Sequence, residues 1–303
     1  MPSNPTGFSP ETMPDLGGKV ILVTGGNQGI GYETVLALAR KGATVVMASR
    51  SESRANEAIA QIKAQVPSAA VEFLHLDLAD LQNVVQAAGS FAAKHDRLDV
   101  LINNAGIYVV PFSTTKDGFE SVFQTNFVGH FALTRELIPF LLRAENPRIV
   151  NVSSTLHKAA PSQGILFDTM NDEKSMSNDG RYGQSKLASI LFTAALHKRY
   201  GDKVFVNSVH PGFVKTDIIR DLGFFLRPVM WLMQSLFALS TPHGAYTSLY
   251  VATSPDVVDK TLKNKYFIPL GALSSGLSKL ATDDELADRL WSWTEAELKK
   301  RNI

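Results

Sequence analysis

Residues 24–31 read TGGNQGIG, directly after the apolar run Val20-Ile21-Leu22-Val23. A strand that runs into such a loop, and then into a helical pattern from Ile30 to Arg40, turns backbone N–H groups and a helix N-terminus toward any anion placed there. Gly25, Gly29 and Gly31 are spaced G-x-x-x-G-x-G, and glycine permits both unusual backbone angles and the close approach of a pyrophosphate. An ATP-type P-loop is excluded, because Tyr32-Glu33 stands where Lys-Ser/Thr is required. A structural turn and a dinucleotide cradle both remain open from the loop alone.

Working outward, short β-branched runs at 20–23, 44–48, 71–74, 100–102, 149–152, 204–209 and 266–268 alternate with apolar residues at helical spacing in 29–41, 53–65, 81–95, 118–144, 183–200 and 284–300. Continuous apolar strands alternating with helices predict an α/β fold, a Rossmann-type doubly wound parallel sheet flanked by helices on both faces. In such sheets ligands sit at the carboxyl ends of the strands. Thr24, Asp77, Asn103-Asn104, Ser153-Ser154 and His210-Pro211-Gly212 each follow a predicted strand.

The end of the second strand selects the nucleotide. An acid there would bind the ribose hydroxyls of NAD(H), but the sequence reads Ser49-Arg50, with Glu52 two residues later. A forked guanidinium suits a 2′-phosphate, and Ser49 adds a hydrogen bond, so NADP(H) is favoured over NAD(H).

The rest of the composition narrows the function. The 303 residues carry a formal net charge of +1 and no cysteine. That excludes thiolate chemistry and disulfides, and gives no support to a nucleic-acid partner. A cysteine-free chain is neutral about compartment, and without disulfides it fits a reducing cytoplasm at least as well as secretion; a cytoplasmic location is expected. The seven histidines lack metal-ligand spacing, so no metal site is expected. Residues 1–18 read as a flexible arm and 19–303 as a single domain. The apolar stretch 222–240 is broken by Arg227 and Pro228, too short to span a bilayer. It remains a candidate lid or peripheral membrane contact.

YGQSK places Tyr182 and Lys186 four residues apart on one helix face. At that spacing an ammonium can lower a phenol's pKa and ready it for proton exchange near neutral pH. Asn126 lies within the long middle helix, a position that costs propensity and needs hydrogen-bond partners if it faces inward.

Thr24-Gly25-x-x-x-Gly29-Ile30-Gly31, Asn103-Asn104-Ala105-Gly106, Asn126, NVSS at 151–154, the Tyr182/Lys186 pair and HPGFVKT at 210–216 occur in that order. The chain resembles the short-chain dehydrogenase/reductase family over about residues 18–253, and in style its retinol-dehydrogenase-like members. The resemblance implies an oxidoreductase in which Tyr182 is the acid/base and Lys186 lowers its pKa and binds the nicotinamide ribose. Ser154 would hydrogen-bond the reacting oxygen, and Asn126 would hold a water that links Lys186 to solvent. It implies a nucleotide site comprising the loop residues Gly25, Asn27, Gln28, Gly29, Ile30 and Gly31. Asp77 and Leu78 would meet the adenine and Asn104, Ala105 and Gly106 the ribose; Pro211, Gly212, Val214 and Thr216 would meet the nicotinamide and phosphates. Gln28 stands where some NADP-preferring members carry a positive charge. The family builds its substrate lid at about 217–240, although a helix packed on the body or a dimer partner fits that segment equally. The expected substrate is a small lipophilic ketone, aldehyde or alcohol, and the expected assembly a homodimer or homotetramer. The alternative from another class is a nucleotide-binding sensor or scaffold without turnover. Asp168, Asp172, Glu173 and Asp179 in the stretch between Ser154 and Tyr182 read as a solvated loop.

Overall fold

The computed structural model describes residues 6–108, 110–213 and 240–303. Eight strands form one sheet: β1 (Val20–Thr24), β2 (Thr44–Ser49), β3 (Val71–His75), β4 (Val100–Asn103), β5 (Arg148–Val152), β6 (Phe205–Val209), β7 (Tyr266–Ile268) and β8 (Ala272–Leu273). Their order is β3-β2-β1-β4-β5-β6-β7-β8. All neighbours pair in parallel except β8, which returns antiparallel on β7. The doubly wound parallel sheet predicted from the alternation is therefore present. The order runs outward in both directions from β1 and β4, which sets the topological switch point between those two strands.

Side-chain alternation along each strand divides the core in two. Leu22, Val46, Leu101, Ile149 and Val206 face one side, with helices α3 (Leu81–Ala92), α4 (Gly129–Leu141), α5 (Asn178–Tyr200) and α7 (Asp284–Lys300). Ile21, Val23, Val45, Met47, Ile102 and Val150 face the other, under α1 (Gly29–Arg40), α2 (Glu52–Gln65) and α6 (Thr241–Thr253). Both faces of the central strands are buried, which is why these strands read as unbroken apolar runs rather than alternating ones. Trp291 and Trp293 of α7 pack on Phe131 and Phe192 and on Phe119, Phe123 and Phe167.

Three local features differ from expectation. The arm is seated on the body from Thr6 onward. The Thr6 hydroxyl donates to the Leu270 carbonyl at 2.9 Å, the Phe8 ring meets Tyr250 at 5.4 Å, and Phe8, Met13 and Leu16 are buried. These buried side chains, with the Leu16 N–H donating to the Lys41 carbonyl and Lys41 Nζ donating to the Glu11 carbonyl, both at 2.8 Å, hold it to the body. Helix α6 and the two-residue β8 have no clear periodic signal in the sequence.

The third feature is in the middle helix. Ser121–Phe123 is α-helical, Gln124–Val128 is a π turn, and α4 resumes at Gly129. The π turn contains Asn126, and such turns recur at functional sites because the extra residue re-aims side chains.

Candidate active site

The glycine loop leaves β1 and enters α1 as expected, with Gly25 at φ +66° and Gly29 at φ +56°. An added Cβ on Gly31 would stand 2.1 Å from the Gly25 carbonyl oxygen and 2.7 Å from Asn104 Nδ2, so this position admits only hydrogen. Around Gly29 the space is open, and Gln28 and Gly29 are exposed. Helix α1 begins without a side-chain cap and without an acid in its first turn. Its first N–H groups are thus available to an outside acceptor, and the positive end of the helix dipole is unopposed. Asn27 and Ile30 flank the same open turn, half-buried. This cradle fits a pyrophosphate.

Arg50 follows β2 at the expected place and is exposed. Among the described residues it has no hydrogen bond or ion pair. Ser49 is buried and its hydroxyl donates to the Ser51 carbonyl at 3.4 Å. Glu52 opens α2, one residue after the Ser51 cap, where an acid favours the helix dipole. Asp77 follows β3 and its carboxylate accepts the Ala79 N–H at 3.0 Å; Leu78 is buried. Gly212 follows β6 in a left-handed conformation (φ +94°) beside Pro211. Val214, Thr216 and the expected lid, as far as residue 239, lie outside the described residues.

The loop after β4 is tied to β1 through one residue, Thr24. Thr24 Oγ1 accepts the N–H groups of Asn104 and Ala105, each at 2.9 Å, and Asn104 Nδ2 donates to the Thr24 carbonyl at 2.9 Å. Thr24 also meets His130 Nε2 at 2.9 Å, while His130 Nδ1 meets the Asn126 carbonyl at 2.9 Å. A carbonyl only accepts, so Nδ1 carries the proton and Nε2 accepts from Thr24. Burial pushes this imidazole down to about 4, against which the Asn126 hydrogen bond works. His130 therefore joins the glycine-loop strand to the π turn as a neutral bridge. No role was read for it in the sequence, although its i, i+4 spacing from Asn126 was visible.

Asn126 is fully engaged. Its Nδ2 donates to the Ile107 carbonyl and to Ser185 Oγ, both at 3.0 Å, and its Oδ1 accepts the Ile107 N–H at 2.8 Å. Both amide hydrogens are committed to protein, so the side chain acts as a brace between the loop after β4 and α5. Gly106 permits the brace: a Cβ there would lie 3.3 Å from both Asn126 Oδ1 and Lys186 Nζ.

Lys186 is buried in α5, and its Nζ donates to the Val152 carbonyl at 2.9 Å. The Ser153 hydroxyl donates to the Lys186 carbonyl at 2.8 Å, fastening α5 to the end of β5. Burial pulls this ammonium down to about 8. It lies 5.5 Å from the centre of the Tyr182 ring. The Tyr182 phenol is pushed up to about 12 by burial, against which the Ser154 hydroxyl's hydrogen bond works, while the Tyr108 phenol adds to the rise. The lowered phenol expected from the Tyr–Lys spacing is thus reversed. Desolvation dominates, and Lys186 directs its hydrogen bond to a backbone carbonyl.

Ser154 caps a short 3₁₀ turn, its hydroxyl accepting the Leu156 N–H at 3.2 Å and its carbonyl accepting from His157 Nδ1 at 2.8 Å. His157 is buried with its ring edge on Tyr266, a structural support for the serine.

Two neighbours of Tyr182 were not read as functional. The Tyr108 ring packs on it, centroids 4.4 Å apart at 63°, and the Tyr108 hydroxyl donates to Asp179 Oδ1 at 2.9 Å. Asp179 is exposed, as expected, but belongs to the first turn of α5 and not to a loop. The sequence holds only a weak clue, the i, i+3 spacing of Asp179 and Tyr182.

The described residues hold no cluster of His, Cys, Asp and Glu able to bind a metal, and no helix long and apolar enough to cross a membrane. Residues 19–223 match the short chain dehydrogenase family model. A short-chain dehydrogenase/reductase of Aspergillus calidoustus, drtF, is 42% identical over 97% of this chain and 98% of its own. Mouse retinol dehydrogenase 12 is 38% identical over 91% of this chain and 84% of its own. A solved structure from Mycobacterium paratuberculosis superposes with a TM-score of 0.76 at 33% identity, covering 97% of this chain and 98% of that one. The chain belongs to the short-chain dehydrogenase/reductase family and is retinol-dehydrogenase-like.

Proposed function

We propose that this oxidoreductase is NADP(H)-dependent and interconverts a lipophilic ketone or aldehyde and its alcohol, with Tyr182 as the acid/base. The observation that carries the reading is convergence. Ser154, the Tyr182/Lys186 pair and Asn126 come from three separate segments of the chain and meet beyond the carboxyl ends of β4 and β5, beside the open glycine cradle.

A bound nicotinamide dinucleotide supplies or accepts the hydride at the substrate carbon. The chain does the remaining work. Tyr182, like any phenol, holds its proton at neutral pH, and burial strengthens that hold; it gives the proton to the carbonyl oxygen on reduction. Ser154 donates to the same oxygen and stabilises charge as it develops there. Lys186, close to the phenol ring, is charged below about 8 and favours phenolate when the proton returns in oxidation. Asn126 and Gly106 hold the intervening loop against α5, which fixes the distance between the nucleotide and the proton donor.

The preference for NADP(H) rests on the exposed Arg50 after β2, which has no ion pair among the described residues. A lipophilic substrate is supported by the retinol-dehydrogenase relatives, and a cytoplasmic location is part of the same proposal. A panel of aliphatic, aromatic, terpenoid and steroid carbonyls, assayed by NADPH and NADH consumption, tests these assignments together. The expected result is turnover of apolar carbonyls with NADPH preferred. Tight NADPH binding without turnover of any carbonyl would instead favour the sensor or scaffold reading.

A further inference from the structure

We propose that Tyr108 is a positioning residue for the proton donor, latched in place by Asp179, and that its ring sets how Tyr182 meets the substrate. The proposal rests on Tyr182 being the acid/base, and adds a residue that neither the sequence motifs nor that role requires.

Tyr108 is held from two directions. Its backbone neighbour Ile107 is gripped through both N–H and C=O by the Asn126 side chain. Its hydroxyl reaches the Asp179 carboxylate at 2.9 Å. Asp179 and Tyr182 lie three residues apart on α5, so the latch and the proton donor share one rigid element. The loop after β4 is thereby fastened to α5 twice, at Asn126–Ser185 and at Tyr108–Asp179. Between these ties the two aromatic rings meet at 4.4 Å.

The consequence follows from what surrounds Tyr182. The Lys186 ammonium lies near its ring, 5.5 Å from the centroid. Ser154 bonds its hydroxyl, and the Tyr108 and Tyr266 phenols are its other titratable neighbours. Asp179 is the negative charge beyond Tyr108. Of these groups, Tyr108 alone is both anchored to the nucleotide-side loop and only half-buried. A ring in that place keeps water off the phenol and holds it in one rotamer. The latch itself is exposed to solvent, so it contributes orientation rather than much stability.

The test is a double-mutant cycle on carbonyl reduction, with NADPH affinity measured by fluorescence for each variant. Tyr108→Ala removes ring and latch, and is expected to lower kcat/KM by about 30-fold, a loss typical of a misplaced catalytic group. Its basic pH limb moves to lower pH as water reaches Tyr182, and NADPH affinity stays within about twofold. Tyr108→Phe and Asp179→Ala each break only the latch and lower kcat/KM by about fivefold, the loss of one ordinary hydrogen bond. The double variant should be no worse than either single one, because both remove the same contact. Asp179→Asn keeps an acceptor oxygen and restores most of the activity.

Multiplying losses in the double variant, or an unchanged rate and pH profile in Tyr108→Ala, overturns the proposal. A Tyr182→Phe control separates the two readings. If it abolishes reduction while Tyr108→Ala does nothing, the positioning role fails and the acid/base role stands. If Tyr182→Phe turns over normally, the acid/base role fails first.

Discussion

The two ends of the site are built from different materials. The nucleotide end is built from backbone and empty space: left-handed Gly25 and Gly29, an uncapped helix start, and a Gly31 that excludes even a methyl group. The chemical end is built from side chains delivered by separate elements. Ser154 comes after β5, Tyr182 and Lys186 from α5, Asn126 from a π turn, and Tyr108 from the loop after β4. Backbone sites are local and can be written in eight residues. Side-chain sites depend on where distant segments meet.

The largest effect should come from the chemical end. Tyr182→Phe removes the exchangeable proton and is expected to lower turnover by about 10³-fold, within the span of general acid–base catalysis. NADPH titration of the same variant should be unchanged, which shows that the two ends are separable.

Gly31→Ala strikes the other end. The added methyl would overlap the Gly25 carbonyl, so NADPH affinity should fall by about 10²-fold and the melting temperature should drop, overpacking costing roughly 1–3 kcal/mol. Normal NADPH binding in this variant would show that the loop does not seat the pyrophosphate as described.

His130 spans the division, with Thr24 on one side and Asn126 on the other. Its folded value of about 4 lies below the ordinary 6.5, so the unfolded chain binds more protons between those values. Its stabilising contribution is complete above about pH 6.5 and is lost as pH falls toward 4, on the order of a few kcal/mol at the bottom of that range. His157, His197 and His210 are shifted the same way by burial. Urea midpoints at pH 7.5 and 5 should therefore differ more for the parent than for His130→Gln. Equal differences would mean that the imidazole is not held neutral.

The smallest effect is the most selective. Arg50→Ala should weaken NADPH by about tenfold, since an exposed charge-assisted contact is screened by solvent, and leave NADH nearly untouched. A parallel loss for both nucleotides would remove Arg50 from the 2′-phosphate.

The contrast also explains what could be read without coordinates. The seven parallel strands and the glycine loop were legible because β-branched runs and glycines act on their own neighbourhood. Tyr182, Lys186 and Ser154 were legible as spacings and strand ends. The direction of the Tyr182 shift was not, because desolvation depends on every neighbour and not on the lysine alone. Tyr108 and Asp179 are 71 residues apart and neither carries a periodic signal, so their meeting exists only in three dimensions. The seating of Phe8, Met13 and Leu16 was hidden in the same way, since a few apolar residues among prolines look like a tail until their partners are known.

The π turn at Gln124–Val128 has a further consequence for how this chain tolerates change in length. Deleting one residue there would let the segment close into a regular α-helix and rotate everything on one side by about 100° relative to the other. The hydrogen-bond ladder would become more ideal, yet the Asn126 amide would leave Ile107 and Ser185, and the His130 bridge would lose its alignment with Thr24. In this helix, geometric regularity and competence are opposed: the irregular turn is the part that a sequence-shortening event cannot repair.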